Sequence, residues 1–221
     1  MIIDDTFLDE LWKQEAQFLT LLKSRYASTP KTLWQWQMQV PLSERWTNFV
    51  GANREFGEFV ARGGDPKRDD LRVLDLGCGF CMYWPALTQL GFRKFVGIDL
   101  FDLRVPLQLR GASPIKRALS FFLKRSPRAA LRSLLPTAKT EHYLAAAHDF
   151  VQHTCPDIEY QLIEGDVGDI DSYDLNFDQF DLICAYSVNY AKLGATGIPP
   201  SLFNSVVERY SADNCFAVYF G

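Results

Sequence analysis

Apolar positions along the first sixty residues recur with the period of a helix. Phe7, Leu8, Leu11, Phe18 and Leu22 form one set, and Trp46, Phe49, Val50, Phe56 and Val60 form a second. Pro41 separates the two sets, Ser43 stands where an N-cap of the second would stand, and Gly63-Gly64 offers a stop. Beyond residue 70 the texture changes. Short apolar and β-branched runs alternate with helical stretches, the pattern of a mostly parallel sheet with helices on both faces. Five strands are predicted, at 72–76, 94–99, 159–164, 180–186 and 215–220. Between the second and third runs a connection of residues 102–157 is far longer than one crossover helix needs, which predicts a helical insertion after the second strand.

Composition narrows this picture. Apolar residues make up 48% of the 221, enough for one well-filled core and too many for a disordered chain. The expected organisation is an N-terminal helical cap over residues 1–66 and an α/β domain over 67–221. Four of the five tryptophans, Trp12, Trp34, Trp36 and Trp46, fall in the cap, where they either pack on the main core or roof an apolar pocket. No run of apolar residues is long enough for a transmembrane segment, and the opening residues lack a signal peptide's basic and apolar blocks, so the expected location is cytoplasmic. Five scattered cysteines fit reduced thiols better than a disulfide framework.

The formal charge of −4 gives no global reason to expect nucleic-acid binding. Charge is unevenly spread, however. Residues 101–140 carry nine basic side chains, from Arg104 to Lys139, against Asp102 alone, interleaved with Ile115, Leu119, Phe122, Leu131 and Leu134. This reads as amphipathic basic helix, serving either as a lid or as a surface for an anionic ligand or an acidic surface.

The stretch with most chemical content is Val73-Leu74-Asp75-Leu76-Gly77-Cys78-Gly79-Phe80-Cys81, an apolar strand that ends in an acid and breaks into a glycine turn. Gly77 and Gly79 permit backbone conformations closed to other residues, at the carboxyl edge where open α/β sheets bind ligands. Val96-Gly97-Ile98-Asp99 then supplies a second strand ending in an acid, a helix and a strand later. A carboxylate there can accept both hydroxyl hydrogens of a ribose.

Asp75-Leu76-Gly77-Cys78-Gly79 resembles motif I of the class I S-adenosylmethionine-dependent methyltransferases, which have a Rossmann-like fold. Three further landmarks follow in the family's order. Asp99 and Leu100 occupy its ribose-binding position, Glu164-Gly165-Asp166-Val167 is similar to its adenine-contacting segment, and Phe180 to Ser187 resembles its fourth strand, whose end borders the reactive methyl group. The resemblance implies cofactor contacts from Asp75, Gly77, Cys78, Gly79, Asp99, Leu100, Asp166, Val167, Ala185 and Tyr186. It implies S-adenosylmethionine as cofactor, S-adenosylhomocysteine as product, and a small-molecule acceptor methylated on oxygen or nitrogen. Tyr186-Ser187-Val188-Asn189-Tyr190 is not the Asn/Asp-Pro-Pro-aromatic motif of nucleic-acid amino-methylating enzymes.

Two other readings compete. A nicotinamide-dependent reductase would want a third glycine where Met82 stands, and a non-catalytic cofactor-binding or interaction module would need no base. No catalytic base stands out: His142, His148 and His153 would serve only if folded over the cofactor, and Asn189 and Tyr190 would border the acceptor or shape a loop. Cys78 and Cys81 lack a second pair at zinc spacing, and the acid-rich run from Asp166 to Asp181 lacks a calcium loop's central glycine, so no metal is expected. The family's sheet usually continues beyond a fifth strand, so the strand at 215–220 is expected to offer a long apolar edge, covered, paired in a homo-oligomer or completed by further sequence.

Overall fold

A computed structural model describes residues 3–25, 42–65, 67–99, 141–186 and 198–220. Helices α1 (Asp5–Arg25), α2 (Leu42–Gly51) and α3 (Arg54–Ala61) precede β1 (Leu71–Leu76), α4 (Trp84–Thr88) and β2 (Phe92–Asp99). Then come α5 (Glu141–Thr154), β3 (Glu159–Glu164), a 3-10 helix (Val167–Ser172), β4 (Phe180–Tyr186), α6 (Pro200–Tyr210) and β5 (Ser211–Phe220). Every strand pairing is parallel, and the order β3-β2-β1-β4-β5 is that of a Rossmann-like α/β fold. The insertion's core, residues 101–140, lies outside the described residues.

Alternation along the central strands sorts the apolar side chains into two layers. Val73, Phe95, Leu182 and Val218 face one side, where they pack with Leu8, Leu11, Trp46, Phe49 and Phe56 of α1 to α3 and with Phe150 of α5. Leu74, Leu76, Val96, Ile98 and Ile183 face the other, against Val167 and Ile170 of the 3-10 helix and Phe203 and Val206 of α6. The N-terminal helices therefore share one core with the sheet.

The second periodic set is two helices, not one. Asn53 divides them, its side-chain oxygen accepting the Phe56 amide at 2.9 Å as the cap of α3. Ser43 is not a cap; it lies within α2, and its carbonyl accepts the Thr47 hydroxyl. The glycine stop is as expected: Gly63 and Gly64 take left-handed φ of 83° and 70°, and their amides turn back to the Val60 and Phe59 carbonyls.

Asn53 has a second task, since its amide nitrogen donates to the Ala217 carbonyl of β5 at 2.8 Å. Phe216 packs beside it on Phe56 and Phe59, so α3 is anchored to the strand whose edge the sequence left open. β5 also begins earlier than the apolar run suggests. It starts at Ser211 and bulges before Phe216, with Asn214 in the left-handed region at φ 66°, a conformation Asn tolerates better than most residues.

At the amino edge of the sheet a buried carboxylate ties two strands together. Asp181 of β4 accepts the Arg72 amide at 2.9 Å and faces the guanidinium groups of Arg72 and Arg68 at 3.4 and 3.5 Å.

Candidate functional site

The carboxyl edge brings together Asp75, Gly77, Cys78, Gly79 and Asp99 of the predicted set. Asp75 is next to the last residue of β1, two residues beyond Val73, and Asp99 ends β2, two beyond Gly97, which pairs with Asp75. The pleat therefore directs both carboxylates to the face covered by the cap. Between them runs the glycine turn. Gly77 and Gly79 have φ of 79° and 53°, the Gly77 amide donates to the Ile98 carbonyl at 2.7 Å, and the Gly79 amide donates to Asp99 Oδ2 at 2.9 Å. Asp99 thus holds the turn that it flanks. Among the described residues a β-carbon built on Gly79 would meet nothing within 4 Å, and one on Gly77 only Ile198 at 3.9 Å, so the described chain leaves these backbone faces uncovered.

Cys81 repeats the left-handed geometry with φ 61°, unusual for a side-chain-bearing residue, and is fully buried. Its amide donates to the Cys78 carbonyl, closing a tight turn that postpones the helix: α4 begins only at Trp84 and has five residues. The adjoining Tyr83 is gripped by the cap. Phe49 of α2 stacks on it at 4.7 Å with 3° between ring planes, and Trp46 lies 6.1 Å away.

Asp75 itself is deeply buried. Trp84 Nε1 donates to its Oδ2 at 2.8 Å, and the Cys184 thiol is its other side-chain hydrogen-bond partner. Among the described residues no ion pair involves it. Burial pushes its pKa from 3.8 up to about 6, the two hydrogen bonds oppose that rise, and the charge of Asp99 adds to it. Burial likewise pushes the Cys78, Cys81 and Cys184 thiols up, so these cysteines are unreactive neutral groups at neutral pH.

The remaining predicted residues are distributed as follows. Cys78 is buried, packed where a β-carbon on Gly97 would stand. Asp166 lies beyond β3 and uses Oδ1 to accept the Gly168 amide, capping the 3-10 helix. Val167 and Ala185 are buried in the apolar layer on the α6 side. The backbone of Tyr186 ends β4 at the same carboxyl edge, while Leu100 and residues 187–197, with Asn189 and Tyr190, lie outside the described residues. His148 does not fold over the glycine turn; its Nδ1 lies 3.1 Å from the Tyr160 hydroxyl, between α5 and β3. His153 is exposed in the last turn of α5. Among the described residues no group of three or more His, Cys, Asp or Glu side chains could hold a metal ion, and no helix is long and apolar enough to cross a membrane.

Sequence reasoning passed over Trp84 and Cys184, the two side chains that hold Asp75. The signal for Trp84 was present in Gly97. A glycine inside a strand marks a close approach, and a β-carbon there would sit 3.0 Å from Trp84 Cζ2 and 2.7 Å from Cys78 Sγ.

No protein-family model matches the chain, and no curated protein matches it. Among solved structures, the rRNA methyltransferase AviRa from Streptomyces viridochromogenes is similar at a TM-score of 0.36 and 14% identity, over 80% of this chain and 71% of that one. A likeness this faint carries no weight for the site.

Proposed function

We propose that the protein is an S-adenosylmethionine-dependent methyltransferase acting on oxygen or nitrogen of a small molecule. The observation that carries this reading is Asp75: a buried carboxylate with two neutral hydrogen-bond donors and, among the described residues, no cationic partner, beside a glycine turn whose backbone faces meet little of the described chain. An ionised group so placed is costly unless something positive comes to it. The sulfonium donor is cationic at sulfur and at its amino group, and it supplies an already activated methyl.

The chain's own part is to bind and orient. The open backbone of Gly77 and Gly79 lets the donor lie against the turn, and Asp99 stands at the end of the adjacent strand to accept ribose hydroxyls while it keeps its bond to the Gly79 amide. Asp166, Leu100 and the end of β4 complete the set that the family resemblance implies. An acceptor amine delivered neutral needs no base, and no described side chain is assigned as one.

The same geometry disfavours a nicotinamide dinucleotide. A pyrophosphate wants a helix beginning at the glycine turn. Here the helix starts seven residues after Gly77 and is only five residues long.

Isothermal calorimetry tests the reading: S-adenosylmethionine and S-adenosylhomocysteine should bind, and NAD and NADP should not. Binding of a nicotinamide cofactor, or of neither class, overturns it. A panel of hydroxyl and amine acceptors with radiolabelled methyl donor then identifies the substrate class.

A further inference from the structure

Trp84 is the one large side chain that connects the glycine turn, the sheet and the buried acid. Its indole is held on three sides. Phe95 stacks on it at 4.7 Å, Tyr160 meets it edge-on at 6.2 Å, and the missing side chain of Gly97 makes room for its six-membered ring. Trp84 opens the short helix and Pro85 follows in its first turn. Fully buried and immobilised in this way, the ring has one polar atom, and that atom donates to Asp75 Oδ2 at 2.8 Å.

We propose that Trp84 is a positioning residue for the donor site: it fixes the Asp75 carboxylate in its anionic form and in one rotamer, ready for a cationic ligand at the glycine turn. The inference rests on the methyltransferase reading for the identity of that ligand, and on the geometry alone for the role of the tryptophan. Trp84 acts through Asp75, not on the reacting atoms.

A hydrogen bond to a charged acceptor favours the charged form, so its loss makes a carboxylate harder to ionise. Among the described residues, the other titratable groups that face Asp75 are Asp99 from β2, Cys184 from β4, and Cys78 and Cys81 from the turn. Asp99 opposes ionisation of Asp75, and the three thiols stay neutral through the range in which it titrates. The indole N–H and the Cys184 thiol both favour the anion, and Trp84→Phe removes the first while leaving the second in place.

The experiment has two arms. In the ligand-free protein, carboxyl carbon resonances of labelled aspartate are followed by NMR against pH, with Asp75→Asn identifying the Asp75 signal. Trp84→Phe should raise the Asp75 midpoint by about one pH unit. An unchanged midpoint overturns the proposal. In the second arm, S-adenosylmethionine affinity is measured by calorimetry from pH 5.5 to 8.5. Trp84→Phe should lose roughly eightfold at pH 5.5 and roughly threefold near pH 6.5, and recover the wild-type affinity by pH 8.5, a shifted profile that a packing role would not give. A uniform loss at every pH assigns Trp84 to packing and overturns the proposal. If Trp84→Phe does not fold, the benzothienyl analogue of tryptophan, which keeps the ring shape and lacks the N–H, replaces it in both arms with the same expectations. Should the wild type bind no donor at any pH, the methyltransferase reading fails, and the NMR arm still decides whether Trp84 holds Asp75.

Discussion

Two buried aspartates at opposite edges of the sheet are held by opposite means. Asp181, at the amino edge, accepts a backbone amide and faces two guanidinium groups. Asp75, at the carboxyl edge, is offered an indole N–H and a thiol and, among the described residues, no positive charge. The first arrangement is balanced by described residues, and the second is the one that the proposed cationic donor would balance. Both residues stand in apolar strands that read alike in sequence, so what separates structure from site here is not burial but whether the charge is balanced.

Removing each acid should therefore have opposite effects on stability. The largest is expected for Asp181→Ala, which strands the Arg72 amide and two arginines and should cost about 3 kcal/mol in urea unfolding while leaving donor affinity intact. Stabilisation by Asp181→Ala would erase the contrast.

Asp75→Asn should act the other way. A pKa of about 6 against an ordinary 3.8 means that the native state holds this proton more tightly than the unfolded chain does. Its contribution to stability is thus fully present below about pH 4 and is lost as the pH rises towards 6, by roughly 3 kcal/mol at most. The asparagine variant should match the wild type at pH 4, exceed it by up to that amount at pH 7.5, and bind the donor poorly. Thermal unfolding at the two pH values checks this, and equal curves at pH 7.5 would contradict it.

Smaller changes sharpen the comparison. Asn53→Ala, remote from both acids, removes the cap of α3 and its bond to β5 and should cost about 1 kcal/mol without any pH dependence between 4 and 7. Arg68→Ala takes away only the outer, half-exposed partner of Asp181 and should cost under about 0.5 kcal/mol; a loss as large as that of Asp181→Ala would move the weight of the clamp from Arg72 to Arg68.

The sheet was legible because its strands are the places where β-branched and apolar residues cluster in short runs, and β1 to β4 fall within two residues of the predicted spans. The glycine turn was legible because backbone requirements write themselves as Gly77 and Gly79. The division of the cap at Asn53 was hidden because apolar periodicity continues through it, and the capping asparagine declares itself only when its bonds are seen. The start of β5 was hidden for the reverse reason: Ser211, Asp213 and Asn214 are polar, and it is pairing with β4, not hydrophobicity, that draws Ser211 into the sheet. Trp84 and Cys184 look like ordinary core residues in sequence, since an apolar ring and a small thiol owe their role to the acid that the pleat sets beside them.

The parallel stack of Phe49 on Tyr83 joins the first helical layer to the turn that follows Gly79. If an occupant of the glycine turn steadies Tyr83, the effect is reciprocal: a molecule that pries α2 loose weakens that occupant by the same factor by which the occupant tightens α2. Amide exchange in α2 would register the arrival of a ligand that never touches it.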